Sequence, residues 1–301
     1  MQEYHLNYLE QLEAESIYIF REAVAELKNP VMLYSIGKDS SVLLHLAQKA
    51  FYPAKIPFPL LHIDTGYKFR EMIEFRDYYI AKIGAQLIVH KNSEPEAVAM
   101  TPEEAHTDRY IFYKKTRPLL EAIKKYKFDG AFGGARREEE KSRAKERIFS
   151  VRNTENVWDP KNQRPELWHT YNTRLNEGET VRIFPLSNWT ELDIWHYIKQ
   201  EKIEVVPLYY AQKRKVIQRN GVYLRLDEFV QPKEGEEVTE IICRYRTLGC
   251  SPSTGTVPST ATTLDEIIDE VFEAKRSERQ TRAIDHGSES AMEQKKKEGY
   301  F

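Results

Sequence analysis

The stretch VMLYSIGKDSSVLL, residues Val31 to Leu44, decides the fold. Val31 to Tyr34 is a short apolar run of the kind a buried parallel strand needs. Ser35, Gly37, Lys38, Asp39, Ser40 and Ser41 follow, interrupted only by the apolar Ile36. Val42, Leu43, Leu44, Leu46 and Ala47 then resume at helical spacing. A strand, a Gly/Ser-rich turn and a helix in that order aim backbone N–H groups, hydroxyls and the positive end of the helix at one spot. Such a spot favours a polyanion. The competing reading is a polar turn that opens a helix, with Ser35 or Asp39 as its N-cap.

The turn is not a Walker A loop. Gly37-Lys38 is present, but Met32 stands where the first glycine of GxxxxGK[ST] belongs, and Asp39 where the Ser/Thr belongs. Ser35 to Ser40 instead fit SxGxDS, which resembles the PP-loop of the ATP pyrophosphatase superfamily. The resemblance implies a loop that grips the β,γ-pyrophosphate while ATP is cleaved between its α and β phosphates.

Outward from the loop the chain alternates. Five strand candidates are 31–34, 59–63, 86–90, 129–133 and 181–185, with helical patterns at 68–83 and 117–127 between them. Alternation of this kind predicts a doubly wound α/β domain around a mainly parallel, five-stranded sheet, with ligands at the carboxyl ends of the strands. Before it, Leu6, Leu9, Leu12, Ile17, Phe20, Val24 and Leu27 predict an amphipathic helix over 4–28, stopped by Asn29-Pro30. Residues 150–180 read as a long polar loop. Thr190 with Asp193 approximates a capping box for a helix through TELDIWHYIKQ. From 203 the pattern weakens into an irregular C-terminal extension with short strand-like pieces at 221–226 and 239–245 and a helix at 264–276. The expected organisation is a helix at 1–28, a nucleotide-binding domain at 29–202, and an extension at 203–301 that closes the site or docks a partner.

Composition removes several classes. With 45 Lys+Arg against 47 Asp+Glu the net charge is −2, which does not support general nucleic-acid binding. No apolar run is long enough to span a membrane. MQEYHLNYLEQLEAES is acidic and lacks an apolar h-region, so a signal peptide is not expected. Two cysteines in 301 residues fit a reducing, cytoplasmic setting.

Two further blocks carry chemistry. The second strand ends in His62-Ile63-Asp64-Thr65-Gly66, whose carboxylate, hydroxyl and glycine suit a nucleoside site. In isolation this is also an ordinary turn in which Asp64 or Thr65 caps a helix. The third is FGGARREEEKSRAKERIFSVR, Phe132 to Arg152. Gly133-Gly134 permits close backbone approach. If 136–147 is one helix, Arg136, Arg143 and Arg147 share a face. Paired guanidinium groups at Arg136-Arg137 would meet an oxyanion bidentately, whereas a solvated, salt-bridged helix is the plainer alternative.

SIGKDSSVLLHLAQKAF, LLHIDTGYKFREMIEFRD, AFGGARREEEKSRAKERIFS, RIFPLSNWTELDIWHYI, RYRTLGCSPSTGTVPS and SERQTRAIDHGSESAMEQKKKEGYF occur in that order. Together they resemble the small-subunit family of the heterodimeric bacterial ATP sulfurylase. The resemblance implies adenylyl transfer from ATP to sulfate, releasing pyrophosphate, with Mg²⁺ on the nucleotide and GTP used by a GTPase large subunit. It implies ATP contacts at Ser35, Gly37, Lys38, Asp39, Ser40, Ser41, His62, Asp64, Thr65, Gly66, Gly133 and Gly134. Lys38, Asp39, Arg136 and Arg137 are the expected catalytic groups. Arg136, Arg137, Arg143 and Arg147 are the expected holders of sulfate or phosphate. The chain has no Walker A of its own, so a GTPase must come from another chain. The related reductases need a cysteine near the C-terminus or a cysteine-bound iron–sulfur cluster. Here only Cys243 and Cys250 exist, both expected to be structural, and no cluster is expected. A non-catalytic nucleotide sensor is disfavoured because the loop is intact.

Overall fold

The computed structural model describes residues 6–274 together with Lys296 and Gly299. The charged tail Lys275–Phe301, which the family resemblance implies closes the site or docks the partner, therefore lies, apart from those two residues, outside the described residues.

The first helix, α1 (Tyr8–Glu26), is opened by a capping box between Asn7 and Glu10 and buries Ile19, Phe20 and Ala23. The turn after it is tied down by Asp129, whose carboxylate accepts from Lys28 N at 2.7 Å and Asn29 N at 3.0 Å. Pro30 begins the central strand. The main sheet holds β1 (Pro30–Leu33), β2 (Leu60–Ile63), β3 (Leu87–His90), β4 (Gly130–Phe132), β5 (Phe149–Arg152) and β6 (Thr180–Ile183) in the order β3-β2-β1-β4-β6-β5. The pairs β1–β2, β2–β3, β1–β4 and β4–β6 are parallel, with Met32 opposite Leu60 and Phe132. The chain leaves β1 towards β2 and returns on its other side as β4, which places the topological switch at β1.

Helices α2 (Lys38–Phe51), α3 (Arg70–Ile83), α4 (Arg117–Tyr126) and α5 (Glu191–Glu201) cover the sheet. Met32, Leu43, Leu46, Leu60, Phe132, Trp195 and Ile198 meet in the larger core. Val31, Leu61, Ala122, Ile123 and Ala131 form a second core on the opposite face. The capping box of Thr190 and Asp193 is present at α5. Gly130 lets the strand pack close to its neighbours: a Cβ there would force the end of the Leu27 side chain to shift and would press on Ile183 and Val181.

Three sequence expectations need correction. Among the described residues the sheet has six strands, not five, because β5 adds to the β6 edge antiparallel, with Phe149 opposite Ile183. Residues 136–147 are not one helix: Arg136 is extended, a 3₁₀ turn spans Arg137–Glu139, and a short helix spans Lys141–Lys145. The segment after 203 is not irregular. It forms a four-stranded antiparallel sheet of β7 (Gln212–Arg219), β8 (Val222–Arg225), β9 (Val238–Arg244) and β10 (Val257–Pro258), followed by α6 (Leu264–Glu273). Its hairpin turns at Asn220-Gly221, both with positive φ, as the turn between right-twisted strands demands.

The long loop after β5 covers that strand's open edge with side chains. Glu166 accepts from Ile148 N and Phe149 N at 3.1 and 2.8 Å, and Gln163 bonds both N and O of Val151 at 2.9 and 3.1 Å. An unpaired edge is thereby satisfied without a further strand.

Candidate active site

The loop from β1 to α2 turns at Ile36, a buried β-branched residue with φ +68°. That conformation is strained for isoleucine, and such strain concentrates at ligand clamps. Gly37 is the N-cap of α2 and supplies no side-chain cap, which corrects the alternative in which Ser35 or Asp39 caps the helix. Ser40 and Ser41 hydroxyls both donate to Gly37 O at 3.0 Å, and Ser35 Oγ lies 3.3 Å from Ser40 Oγ. The Lys38 N–H donates to Tyr209 Oη at 2.7 Å, so a residue 171 positions away fixes the loop.

The loop borders a cavity of about 260 Å³ at the carboxyl edge of the sheet. Ser35, Gly37, Asp39, Ser40, His62, Thr65, Gly133, Gly134 and Arg143 line it. The other expected residues lie elsewhere. Lys38 is buried, its Nζ 3.4 Å from Asp39 Oδ2 and from Arg246 O. Ser41 is buried in α2, and Asp64 accepts from Gly66 N at 2.8 Å in a turn that needs Gly66 at φ +83°. Arg136 is 1% exposed and sits behind the loop, its Nε donating to Asp39 Oδ1 at 2.8 Å and its Nη1 to Glu138 at 3.1 Å. Arg137 donates to Asn188 Oδ1 at 2.6 Å, and Arg147 is exposed. Neither borders the cavity.

Gly134 allows the β4 loop to press against α2, since a Cβ there would come within 3.2 Å of Asp39 Cβ. Arg143 reaches the cavity from a buried ionic group. Glu146 accepts from Arg143 Nη1 at 3.3 Å, Arg152 Nη2 at 2.7 Å and Lys296 Nζ at 2.7 Å. Burial pushes the Glu146 acid up, but the surrounding cations Arg143, Lys296 and Arg152 win and hold it at about 2.

His62 is a neutral imidazole. Its Nδ1 lies 2.9 Å from Tyr34 O, which only accepts, so Nδ1 carries the hydrogen. Nε2 is then a bare acceptor, buried and without a partner among the described residues. Burial, helped by Lys68, lowers the histidine to about 4.

Sequence reasoning missed Lys68, Lys115, Tyr209, Thr247, Leu248 and Gly249, all of which line the same cavity. For the last three the signal was the block RYRTLGCSPSTGTVPS, and for Lys68 the block LLHIDTGYKFREMIEFRD; for Tyr209 and Lys115 nothing local distinguished them. Cys250 is also more than a packing thiol. Its Sγ lies 3.1 Å from Thr65 Oγ1 and 3.6 Å from Tyr110 Oη.

Residues 29–256 match the family model of the phosphoadenosine phosphosulfate reductase domain. Over nearly its whole length the chain is 61% identical to sulfate adenylyltransferase subunit 2 of Shewanella amazonensis, across 297 residues and 98% of each chain. It is 59% identical to the protein of that name from Vibrio vulnificus, across 302 residues and 100% of each chain. The chain belongs to the sulfate adenylyltransferase subunit 2 family. Among solved structures it is similar to the phosphoadenylyl-sulfate reductase of Candida auris, at 18% identity and a TM-score of 0.47, over 68% of this chain and 92% of that one. Among the described residues no helix is long and apolar enough to cross a membrane.

Proposed function

We propose that this chain is the catalytic subunit of a sulfate adenylyltransferase. It joins a sulfate oxygen to the α-phosphorus of ATP, and the α–β bridging P–O bond breaks to release pyrophosphate. The observation that carries this reading is the strained, side-chain-uncapped loop at the topological switch, opening on a cavity in a chain 61% identical throughout to such a subunit.

The site suits a reaction with no proton to move. Sulfate is already fully ionised near neutral pH, so no general base is required. His62, held neutral, offers Nε2 as an acceptor for a base edge or hydroxyl rather than as an acid. Catalysis then rests on alignment and on neutralising charge as pyrophosphate departs. The leaving group would sit where Ser35, Gly37, Asp39 and Ser40 line the cavity at the positive end of α2, while the Lys38 N–H and the Ser40 hydroxyl are spent on holding the loop, on Tyr209 Oη and Gly37 O. Lys38 and Arg136 act from behind, through Asp39. Among the described residues no three His, Cys, Asp or Glu side chains gather as a metal cage. Magnesium arriving on nucleotide phosphates needs only one or two protein carboxylates. Asp39, at the cavity wall, fits that role.

Adenylyl sulfate is a high-energy mixed anhydride, so we also propose that a GTPase large subunit drives its formation. The segment from 203 onward closes the site through Tyr209 and Thr247–Gly249. The test is sulfate-dependent pyrophosphate release by this chain with its large subunit, with and without GTP. Absence of release in the complete mixture refutes the reading. Release of sulfite from adenylyl sulfate with a thiol donor would favour a reductase instead.

A further inference from the structure

Two lysines on the β2 side of the cavity have no part in the chemistry above. Lys68 follows the His62–Gly66 turn and is held there by an isolated antiparallel bridge to Cys250, with Tyr67 O accepting from Ser251 N at 2.8 Å. Lys115 arrives from a different direction, on the π-helical turn Phe112–Thr116 that precedes α4. A π turn is rare and collects at functional sites. Here it separates two adjacent lysines. Lys114 is buried, with Nζ 5.2 Å from the centroid of the Tyr67 ring, while Lys115 lines the cavity. Lys91 adds a further ammonium beside the turn, within 3.5 Å of where a Cβ on Gly66 would stand.

The result is a wall of like charge. Asp64 attracts Lys114, but burial and Lys91 still lower that lysine. Burial pushes the Cys250 thiol up, yet Lys115 and Lys68 bring it down to about 7. The Cys250 response shows that Lys115 and Lys68 set a positive local field at this wall, and Lys91 adds to it at Lys114. Strand order separates this wall from the rest of the site: Thr65 and Lys68 follow β2, the loop follows β1, and Gly134 and Arg143 follow β4. The loop and the β4 side take the polyphosphate. In-line displacement brings the nucleophile in on the side away from the leaving group, and a dianion approaching an anionic nucleotide needs positive charge there.

We propose that Lys68 and Lys115 form the subsite for the inorganic tetrahedral oxyanion, sulfate, on the β2 side of the nucleotide. This rests on the adenylyl-transfer reading. Lysine suits the task because its ammonium is a mobile point charge that follows the oxyanion as it bonds to phosphorus.

The test uses Lys115→Ala and Lys68→Gln in complex with the large subunit, each checked for folding by circular dichroism. Sulfate and ATP are varied separately. The expected result is a rise in KM for sulfate of about 30-fold in each variant, with KM for ATP within about threefold of the parent. Lys115→Arg should recover most of the loss. An unchanged sulfate KM in both variants overturns the proposal, and so does a parallel rise in the ATP KM, which would assign the lysines to nucleotide phosphate. If the parent itself shows no sulfate-dependent turnover, the adenylyl-transfer reading fails separately. Equilibrium dialysis with radiolabelled sulfate on nucleotide-loaded protein then decides: saturable binding lost in both variants supports the subsite, and binding absent or unaltered overturns it. A variant that misfolds is replaced by its Lys→Met counterpart and judged by the same two constants.

Discussion

Replacing Glu146 by glutamine should destabilise this protein by about 3 kcal/mol at neutral pH. Glutamine keeps the shape of the side chain and removes only its charge. Glu146 is 4% exposed and accepts from Arg143, Arg152 and Lys296, so three buried cations lean on one carboxylate. Breaking a buried ion pair by deleting one partner costs about 3–5 kcal/mol, because the other charges stay behind uncompensated. An independent route gives a similar size. Lowering the acid from 4.5 to about 2 on folding corresponds to about 3 kcal/mol. The sign follows from the direction. A carboxyl whose folded pKa is depressed adds stability that is fully present above the unfolded pKa and is lost as pH falls through the folded one. The difference between parent and variant should therefore be full above about pH 4.5 and shrink towards pH 2. Urea unfolding followed by tryptophan fluorescence at pH 7 and at a series of acid pH values measures it, with Trp158 buried beside Lys296 as an internal reporter. Coincident unfolding curves at pH 7, or a gap that stays constant down to pH 2.5, would refute the reasoning.

Four other outcomes are expected. Because burial lowers His62 from 6.5 to about 4, the folded state resists protonation, so His62 should withdraw up to about 3 kcal/mol as pH falls from 6.5 towards 4; His62→Asn, which keeps a donor for Tyr34 O, should flatten that window in acid unfolding curves. Gly134→Ala should push against Asp39 and slow turnover by about tenfold with a change in unfolding free energy under about 1 kcal/mol, read by parallel kinetics and urea titration. Arg136→Lys should lower turnover although charge is kept, because one guanidinium serves both Asp39 and Glu138; equal rates would make the arginine a replaceable counter-charge. The double variant Cys243→Ser, Cys250→Ser should retain sulfate-dependent pyrophosphate release, since serine can keep the bond to Thr65, and abolished release in a folded sample would reopen the reductase chemistry.

The parts of the fold legible in the sequence are those whose signal is local. Val31 to Tyr34 announced β1 because a strand buried on both faces must be apolar throughout. Asn29-Pro30, Thr190 with Asp193, and the three strand-end turns were readable because backbone stereochemistry and capping act within a few residues. β5 was hidden by its company: Phe149 and Val151 follow a run of charges that reads as helix, and only pairing with β6 makes them a strand. β7 was hidden likewise, since Lys213 to Lys215 carry no apolar alternation. Asn220-Gly221 could have revealed its hairpin.

The site shows the same boundary more sharply. SxGxDS located the loop, yet what the loop faces depends on contacts that no spacing rule encodes. Arg136 looked like an oxyanion ligand because it follows Gly-Gly at a strand end, but it turns back onto Asp39, 97 residues earlier, and lies behind the carboxylates of Asp39 and Glu139 that line the cavity. Arg143, from the same cluster, does reach the cavity, oriented by Glu146. Two arginines seven residues apart thus occupy different positions relative to one ligand, and the carboxylate each one meets makes the difference. Lys38 is the converse case: its side chain is buried towards Arg246 while its backbone N–H is fixed by Tyr209. Both anchors come from the segment after residue 203. The loop's shape is therefore a property of the second sheet's placement as much as of its own six residues. A substitution at Tyr209 that removes only the hydroxyl should disturb the loop from the far end of the chain.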